Sequence, residues 1–394
     1  MMLMWGCDQP TKVESNESKL DDTAIEAWQT GLIDGQYIIS LKSVGSTETL
    51  AARAEKTDAQ IDAVAQSTSI EASNILKRYT YSLRGFAAKL TDEQVNSLRK
   101  DDRVEYVEQD QVISLAPPCG TPVNPCDGGG GGDDSGQATP WGITRVGGPV
   151  ASNGVAWVID TGVDLDHPDL NVDTERSVTV ISRGSGSKSA DDGNGHGTHV
   201  AGTIAAIDND IDVVGVASGA TIVGVKVLDK RGSGLNSDVI AGVDYVAANA
   251  APGDVANLSL GGSPSQALDD AVRYAADQGV VFAIAAGNSG DDANNYSPAR
   301  VEYNNVWTVS ATDEADIFAD FSNYSGPTEP PIEFTGPGVD ILSLYADGGT
   351  ATLSGTSMAS PHVAGVLLLT GGNPTSDGTA SGDPDGDSDP IIHN

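Results

Sequence analysis

Three polar residues that lie far apart in the chain have the types needed to activate a nucleophile. Asp160 follows an apolar run, His196 stands between two glycines, and Ser357 lies in a Gly-Thr-Ser-Met-Ala sequence. A serine hydroxyl is a weak nucleophile until a neutral imidazole accepts its proton, and a carboxylate on the other imidazole nitrogen holds the required tautomer. Singly they fit a turn residue, a packed histidine and a helix N-cap. Together they predict a Ser-His-Asp triad.

A second histidine, His199, gives the spacing His-x-x-His, which also occurs in zinc proteases. The zinc-protease pattern is His-Glu-x-x-His, in which the glutamate is the general base. Gly197 and Thr198 stand between the two histidines here and supply no carboxylate. We therefore assign His199 to helix packing and not to a metal.

Segments of strand length alternate with helical segments around these residues. Near-continuous apolar runs, typical of strands buried on both faces, cover residues 155–159, 221–228, 255–260, 280–286 and 306–311. Helical spacing covers residues 238–250 and 266–278, and the apolar run 363–369 predicts a buried helix. This alternation predicts an α/β fold, a doubly wound and mostly parallel sheet with helices on both faces. In such a fold the site lies at the carboxyl ends of the strands.

A smaller unit precedes this fold and has the order strand, helix, strand, strand, helix, strand. The predicted strands are residues 37–41, 79–81, 85–90 and 104–108, and the first helix begins near Ser46. The second helix begins at Thr91, where Thr91 and Gln94 are spaced as in a capping box. The pattern predicts a small α+β domain of the ferredoxin-like kind.

Composition divides the chain into five segments. We expect an N-terminal signal remnant or polar linker (1–34), the small domain (35–115), a linker rich in proline, glycine and cysteine (116–136), the larger domain (137–370) and a solvated acidic tail (371–394). The 394 residues include 56 acidic and 21 basic ones, a net charge of -35. A nucleic-acid partner is disfavoured because phosphate binding needs a basic surface.

The three cysteines leave alternatives open. Cys7 follows a short apolar start and a small residue, so it is either a lipid anchor or a free thiol at the terminus. Cys119 and Cys126 lie among prolines in the linker, where a short-loop disulfide forms if the protein is exported.

The order Asp, His, Ser and the motifs around each residue resemble the subtilisin-like serine proteases, or subtilases. The matching motifs are Val158-Ile159-Asp160-Thr161-Gly162, Asn194-Gly195-His196-Gly197-Thr198-His199 and Gly355-Thr356-Ser357-Met358-Ala359-Ser360-Pro361-His362. The sequences around Gly35–Ile39 and Arg103–Asp110 resemble the inhibitory propeptide of that family. The larger domain mixes features of the proteinase K branch and of the true subtilisins.

This resemblance implies a secreted or cell-surface serine endopeptidase that forms an acyl-enzyme and is made as a self-inhibited zymogen. Its substrates would be peptides or proteins, its own propeptide would be an intramolecular inhibitor, and maturation would fall in the linker. The alternative is a permanently inhibited scaffold that acts as a non-catalytic calcium-binding or interaction protein.

The resemblance also assigns binding residues. Asn288 and the backbone N–H of Ser357 would form the oxyanion hole. Two edges, residues 232–234 and 258–262, would hold an extended peptide. The small side chains of residues 259–262 and 285–287 would form the walls of the P1 pocket and leave room for a large apolar P1 residue. The predicted substrate residues are Gly232, Ser233, Gly234, Ser259, Leu260, Gly261, Gly262, Ala285, Ala286 and Gly287.

A Ca²⁺ site is implied in the same way. Calcium binds six to eight oxygens from carboxylates, amides and backbone carbonyls. The implied ligands are Gln137, Asp169, Asn209 and the carbonyls of Ile207, Ile211 and Val213.

Overall fold

The computed structural model describes residues 31–43, 49–115, 136–325, 331–386 and 389–394. Within them the chain forms a small antiparallel sheet, a large sheet that is mostly parallel, and a separate two-stranded ribbon. No helix among these residues has the length and apolar character needed to cross a membrane.

The small domain contains four strands and two helices. In order they are β1 (Leu32–Leu41), α1 (Leu50–Ser67), β2 (Ile75–Tyr79), β3 (Gly85–Lys89), α2 (Asp92–Leu98) and β4 (Val104–Ser114). The strands pair antiparallel in the order β2-β3-β1-β4, and the helices close a core around Ile39, Ile61 and Phe86. This confirms the small α+β domain.

Two local predictions in this domain have different outcomes. The capping box is confirmed, because the Thr91 hydroxyl accepts from the Gln94 N–H at 3.3 Å and the Gln94 side chain accepts from the Thr91 N–H at 3.0 Å. The strand predicted at residues 79–81 is present, but its bounds are wrong: β2 covers Ile75–Tyr79, and the next backbone N–H groups bond to the Asp244 side chain of the larger domain. A tertiary contact overrides the local strand pattern there.

The larger domain begins with a short helix and then alternates strands with helices. Its first elements are α3 (Trp141–Arg145), β5 (Val155–Asp160), β6 (Asn171–Val172), β7 (Val178–Thr179), α4 (His196–Ala205), β8 (Thr221–Lys226), β9 (Ser233–Leu235), α5 (Asn236–Asn249) and β10 (Val255–Leu258). The remaining ones are α6 (Gln266–Ala276), β11 (Val281–Ala285), β12 (Val306–Thr312), β13 (Ile332–Pro337), β14 (Ile341–Tyr345), β15 (Gly349–Leu353), α7 (Thr356–Thr370), β16 (Thr375–Thr379) and β17 (Pro390–His393).

The large sheet has the order β16-β17-β13-β12-β11-β10-β5-β8-β6, and β7 also pairs with β8. Alternate residues of β5 point to opposite faces: Trp157 and Ile159 pack with α5 and α6, whereas Ala156 and Val158 pack with α4 and α7. Both faces are therefore covered by helices, as the apolar runs predict. The doubly wound α/β fold is confirmed.

The end of the chain differs from the predicted solvated tail. Strand β17 pairs parallel with β13, and β16 pairs antiparallel with β17, so this hairpin extends the large sheet. Ile391 and Ile392 are fully buried. The acidic composition of the segment concealed an apolar pair long enough to join a sheet. The expectation of a solvated tail is corrected for β17, whereas every residue of β16 is exposed.

Candidate functional site

Asp160 and His196 meet at the carboxyl end of the sheet. Asp160 ends the central strand β5 and is fully buried, and His196 is the first residue of α4. The distance from His196 Nδ1 to Asp160 Oδ1 is 2.8 Å, and the Thr161 N–H donates to the same oxygen at 2.7 Å. A carboxylate there accepts the Nδ1 proton and leaves Nε2 as the basic nitrogen of the imidazole.

Opposing effects act on the pKa of His196. Burial lowers this pKa, but the charges of Asp160 and Asp192 and the hydrogen bond to Asp160 raise it, and the net result is a pKa above the ordinary value. The imidazole is thus held as a stronger base than a free histidine.

Glycines allow helix α4 to approach β5 and the neighbouring ribbon. Gly195 has a φ of +106°, and a Cβ there would overlap the ring of Tyr345. A Cβ on Gly197 would overlap the carbonyl oxygen of Gly162. A side chain at either position would push His196 away from Asp160.

Ser357 lies in the first turn of α7, beside one of the predicted substrate edges. Its hydroxyl donates to the backbone carbonyl of Ser259 at 3.1 Å. The Ser259 hydroxyl in turn donates to the Ser357 carbonyl at 2.8 Å and bonds with the Ser360 hydroxyl at 2.8 Å. In the described part of the chain the Ser357 hydroxyl thus pairs with this edge and makes no hydrogen bond to His196.

Asn288 is oriented by the same helix. Its Oδ1 accepts from the Thr356 N–H at 2.8 Å and from the Thr356 hydroxyl at 2.9 Å. Because a backbone N–H can only donate, these contacts fix which end of the amide is the oxygen. The Asn288 NH₂ group takes no part in them and lies close to Gly355, two residues before Ser357, so it is available as an oxyanion donor.

Asn323 holds the loop that carries Asn288, and no local pattern in the sequence indicates this role. Its Nδ2 donates to the Ala286 carbonyl at 2.9 Å, and its Oδ1 accepts from the N–H groups of Ser289 and Asp291 at 2.9 and 3.2 Å. Gly287 has a φ of +109° and closely approaches Asn323. One side chain therefore satisfies several backbone groups of the loop and fixes its shape.

One predicted substrate edge is occupied by the protein's own chain. Strand β4 continues from the small domain and pairs antiparallel with β9, matching Val112 with Leu235, Ile113 with Gly234 and Ser114 with Ser233. The Leu115 N–H then donates to the Gly232 carbonyl at 2.8 Å. The end of the small domain therefore lies where an extended peptide would add as a strand.

The second edge and the pocket walls are close to this segment. Ile113 is 1% exposed and lies in one apolar cluster with Leu260, and a Cβ on Gly262 would lie 3.4 Å from it. The other predicted residues of this region are mostly buried: Ser259, Ala285 and Ala286 fully or nearly so, and Gly261 and Gly287 partly.

The small domain also contacts the first turns of two helices through carboxylates. Asp110 accepts from the Ser237 N–H of α5 at 3.1 Å. Glu108 accepts from the Ala267 N–H of α6 at 3.2 Å. In the opposite direction, Asp244 of α5 accepts from three consecutive N–H groups, of residues 80–82, at 2.6–3.2 Å. Burial raises the pKa of all three carboxyls.

Five of the six predicted calcium ligands meet at the Gln137 amide, and the sixth, Asp169, bonds to one of them. Gln137 Nε2 lies 2.6 Å from the Ile207 carbonyl oxygen, 3.1 Å from that of Val213, 3.4 Å from that of Ile211 and 3.3 Å from Asn209 Oδ1. Asp169 bonds to Asn209 through Oδ1, while its buried Oδ2 has no hydrogen-bond partner, and burial raises its pKa to about 6. Four oxygens around one amide nitrogen, beside an unpartnered carboxylate oxygen, are a set of donors that fits a cation.

The remaining predictions concern His199 and the three cysteines. The described part of the chain contains no cluster of three or more His, Cys, Asp or Glu side chains that could hold a metal. His199 is buried and bonds to the Ile341 carbonyl at 2.9 Å, which is consistent with a packing role. Cys7, Cys119 and Cys126 lie outside the described residues.

Comparison with known proteins gives two family matches. The model of the Subtilase family matches residues 155–377, and that of Peptidase inhibitor I9 matches residues 36–116. The chain is 43% identical to alkaline serine exoprotease A of Vibrio alginolyticus over 79% of its own length, although it spans only 56% of that protein.

Two further similarities cover more of the related chain. Extracellular serine proteinase of a Thermus strain is 40% identical over 76% of this chain and 69% of its own. A crystal structure of a cold adapted subtilisin-like serine proteinase has 44% identity and a TM-score of 0.51, covering 58% of this chain and 84% of that one.

Proposed function

The chain belongs to the subtilase family, and from this premise we propose that it is a serine endopeptidase synthesised as a self-inhibited zymogen. The contact between His196 Nδ1 and Asp160 Oδ1 at 2.8 Å carries the proposal. It supplies an oriented base at the carboxyl end of the sheet, where the helix that bears Ser357 begins.

The proposed reaction begins when the Ser357 hydroxyl turns from the Ser259 carbonyl toward His196. Nε2 of His196 accepts its proton while Oγ bonds to the substrate carbonyl carbon, and the negative charge develops on the carbonyl oxygen. The NH₂ group of Asn288 and the N–H of Ser357 would stabilise this oxyanion. His196 then gives the proton to the leaving amine as the C–N bond breaks, and water hydrolyses the acyl-enzyme through the same base.

Self-inhibition is supported by the pairing of β4 with β9. The segment from Val112 to Leu115 uses backbone hydrogen bonds that a substrate would need, so substrate is excluded while the small domain is bound. We propose that residues 35–115 are the inhibitory propeptide and that the chain is cut between Leu115 and Gln137. Residues 137–370 would be the peptidase domain.

A fluorophosphonate probe tests both parts of this proposal. It reacts only with an activated, accessible serine, so the protein freed of its small domain should be labelled and the uncut chain should not. Ser357→Ala should abolish labelling. Absence of labelling after the cleaved small domain has been removed would favour the non-catalytic scaffold instead.

We propose that Gln137, Asp169, Asn209 and the carbonyls of Ile207, Ile211 and Val213 bind structural Ca²⁺. The four oxygens of Ile207, Asn209, Ile211 and Val213 that surround the Gln137 amide support it, and a bound cation would satisfy the unpartnered Asp169 oxygen. Excess chelator should lower the melting temperature by several degrees, since a ligand that binds only the native state stabilises it. Asp169→Asn should lower it similarly and remove the effect of chelator. An unchanged melting temperature with chelator would contradict the site.

Substrate preference and location are further parts of the proposal. The small side chains of Ala285, Ala286 and Gly287 support a roomy pocket for large apolar P1 residues, and peptides that differ only at P1 test it. A strict preference for Arg or Lys would contradict it. The similarity to the extracellular proteinase of Thermus supports export from the cell. Intact mass would show whether Cys7 carries lipid and whether Cys119 and Cys126 form a disulfide.

A further inference from the structure

We propose that Asp192 is a positioning residue for the catalytic pair, joining the loop after Asp160 to the first turn of the helix that carries His196. This inference rests on the proposed catalytic function. Asp192 lies in a loop before α4 and is 6% exposed. It touches neither the substrate edges nor the predicted nucleophile, so its role would be exerted through its neighbours.

The carboxylate of Asp192 accepts five hydrogen bonds from two segments of the chain. Oδ1 accepts from the Thr161 hydroxyl at 2.9 Å and from the N–H groups of Asn194 and Gly195 at 2.9 and 3.0 Å. Oδ2 accepts from the N–H and the hydroxyl of Thr198 at 2.9 and 2.8 Å. Most of these donors flank His196, so the carboxylate fixes the start of α4.

Thr161 links this arrangement directly to the catalytic carboxylate. Its N–H donates to Asp160 Oδ1 at 2.7 Å, and its hydroxyl donates to Asp192 while accepting from the Gly197 N–H at 2.9 Å. The side chain of Lys226, which is also buried, donates to the Thr161 carbonyl. The relative positions of Asp160 and His196 are therefore set through one hydroxyl group and one buried carboxylate.

The charges near His196 give Asp192 a second effect. Asp160 and Asp192 act on the imidazole as negative charges and raise its pKa. Of the other groups nearby, burial lowers the pKa of His199 to about 3 and raises that of Tyr345, so both are neutral near pH 7. Burial also lowers the pKa of Lys226, and the negative charges of Asp192, Asp160, Asp191 and Asp229 offset part of that lowering. Removing the Asp192 charge should thus make His196 less basic.

The first experiment measures the His196 pKa by NMR in the full chain. Ser357→Ala prevents self-cleavage, and the five histidines make assignment tractable. Adding Asp192→Asn should lower the His196 pKa by about half a unit or more. The matched control is Asp191→Asn, which removes the charge of a neighbouring, exposed carboxylate. That carboxylate accepts from the Leu165 N–H at 3.3 Å. A shift no larger than that of the control would overturn the electrostatic role.

The second experiment separates position from charge, and it decides the proposal if Asp192→Asn does not fold. Thr161→Val removes the bridging hydroxyl but keeps the shape and the Asp192 charge, whereas Thr161→Ser keeps the hydroxyl. In the processed enzyme Thr161→Val should lower kcat about tenfold or more with little change in KM, and Thr161→Ser should stay near the unchanged protein. Equal activity of the two variants would overturn the positioning role.

These outcomes are distinct from failure of the catalytic proposal. Peptide hydrolysis by Ser357→Ala would contradict the proposed function itself. An inactive Ser357→Ala variant, together with an unchanged His196 pKa in the Asp192→Asn variant, would contradict only the role of Asp192.

Discussion

The interior of the larger domain is held by apolar packing, whereas its contact with the small domain combines apolar packing with buried carboxylates. Trp157, Val158 and Ile159 of the central strand are fully buried among apolar side chains. At the contact between the domains, Tyr79, Leu83 and Ile113 of the small domain join an apolar cluster of the larger domain, and the buried carboxylates Asp110 and Asp244 accept backbone N–H groups across it. Exposing apolar surface costs free energy in proportion to area, whereas water can replace many of the hydrogen bonds lost when a polar contact separates. The polar part of the contact is therefore easier to separate than the apolar interior.

The largest expected effect comes from removing the nucleophile while leaving the domain contact intact. Ser357→Ala should lower kcat on the order of 10⁶-fold, the size known for loss of the catalytic serine in a subtilisin. The chain should remain uncut, because no serine is available for self-cleavage. Peptide hydrolysis and gel mobility measure both results, and thermal unfolding serves as the control for folding. Normal maturation would contradict the role of Ser357.

A smaller loss is expected from Asn288→Ala. The NH₂ group near Ser357 would be lost, and kcat should fall about 10²–10³-fold, the range known for an oxyanion asparagine of subtilisin. KM should change little, because the interaction forms mainly in the transition state. Steady-state kinetics on one peptide measures it. A rise in KM with unchanged kcat would assign Asn288 to ground-state binding instead.

The contact between domains should be weakened by Asp244→Ala. This change leaves the N–H groups of residues 80–82 without their acceptor, which should make the free energy of docking less favourable by roughly 1–3 kcal/mol. In the Ser357→Ala chain, amide hydrogen exchange at residues 80–82 should quicken, while exchange in β5 should not. The control is Asp173→Ala, which removes a carboxylate that pairs with Arg176 and lies outside the contact between the domains. Equal protection at residues 80–82 in both variants would contradict the polar basis of the contact.

The smallest expected effect is a pH dependence of the same contact. Burial raises the pKa of Glu108, Asp110 and Asp244. The separated domains would have ordinary carboxyl pKa values of about 4, so docking takes up protons. Docking should therefore be strongest at low pH and weaken as the pH rises through the raised values.

Hydrogen exchange in the Ser357→Ala chain checks this sign. Protection factors at residues 80–82 should be higher at about pH 5 than at about pH 7. Adding Glu108→Gln and Asp110→Asn should flatten the dependence. Protection that increases with pH would show that other charges govern docking.

Much of the fold was predictable from the sequence because its strands coincide with apolar runs. Residues 155–159 and 306–311 predicted strands that the structure extends by one residue each, to Asp160 and Thr312. The pair of Asp160 and His196 was also predictable, since glycine-rich motifs mark both residues. The packing of Ile391 and Ile392 was missed because the surrounding acidic residues dominated the composition.

Residues that act through distant contacts were harder to find. Asp192 lies in an Asp-Asp-Gly-Asn-Gly sequence that is typical of a turn, and nothing local indicates its five donors. Asn323 is far from Asn288 in sequence, so its contacts with that loop arise only in the folded chain. The extension of β4 to Ser114 likewise depends on pairing with β9, a long-range interaction that strand propensity does not encode.

The inhibitory segment has a neighbour on each side. β9 lies along one edge, and on the other the Val112 N–H donates to the Gly31 carbonyl at 2.7 Å while Leu32 stands opposite Gln111. A cut beyond Leu115 severs none of these links. Cleavage of the chain and release of the small domain from the groove are thus separate events. The cleaved small domain would stay bound in the groove until it is digested or displaced.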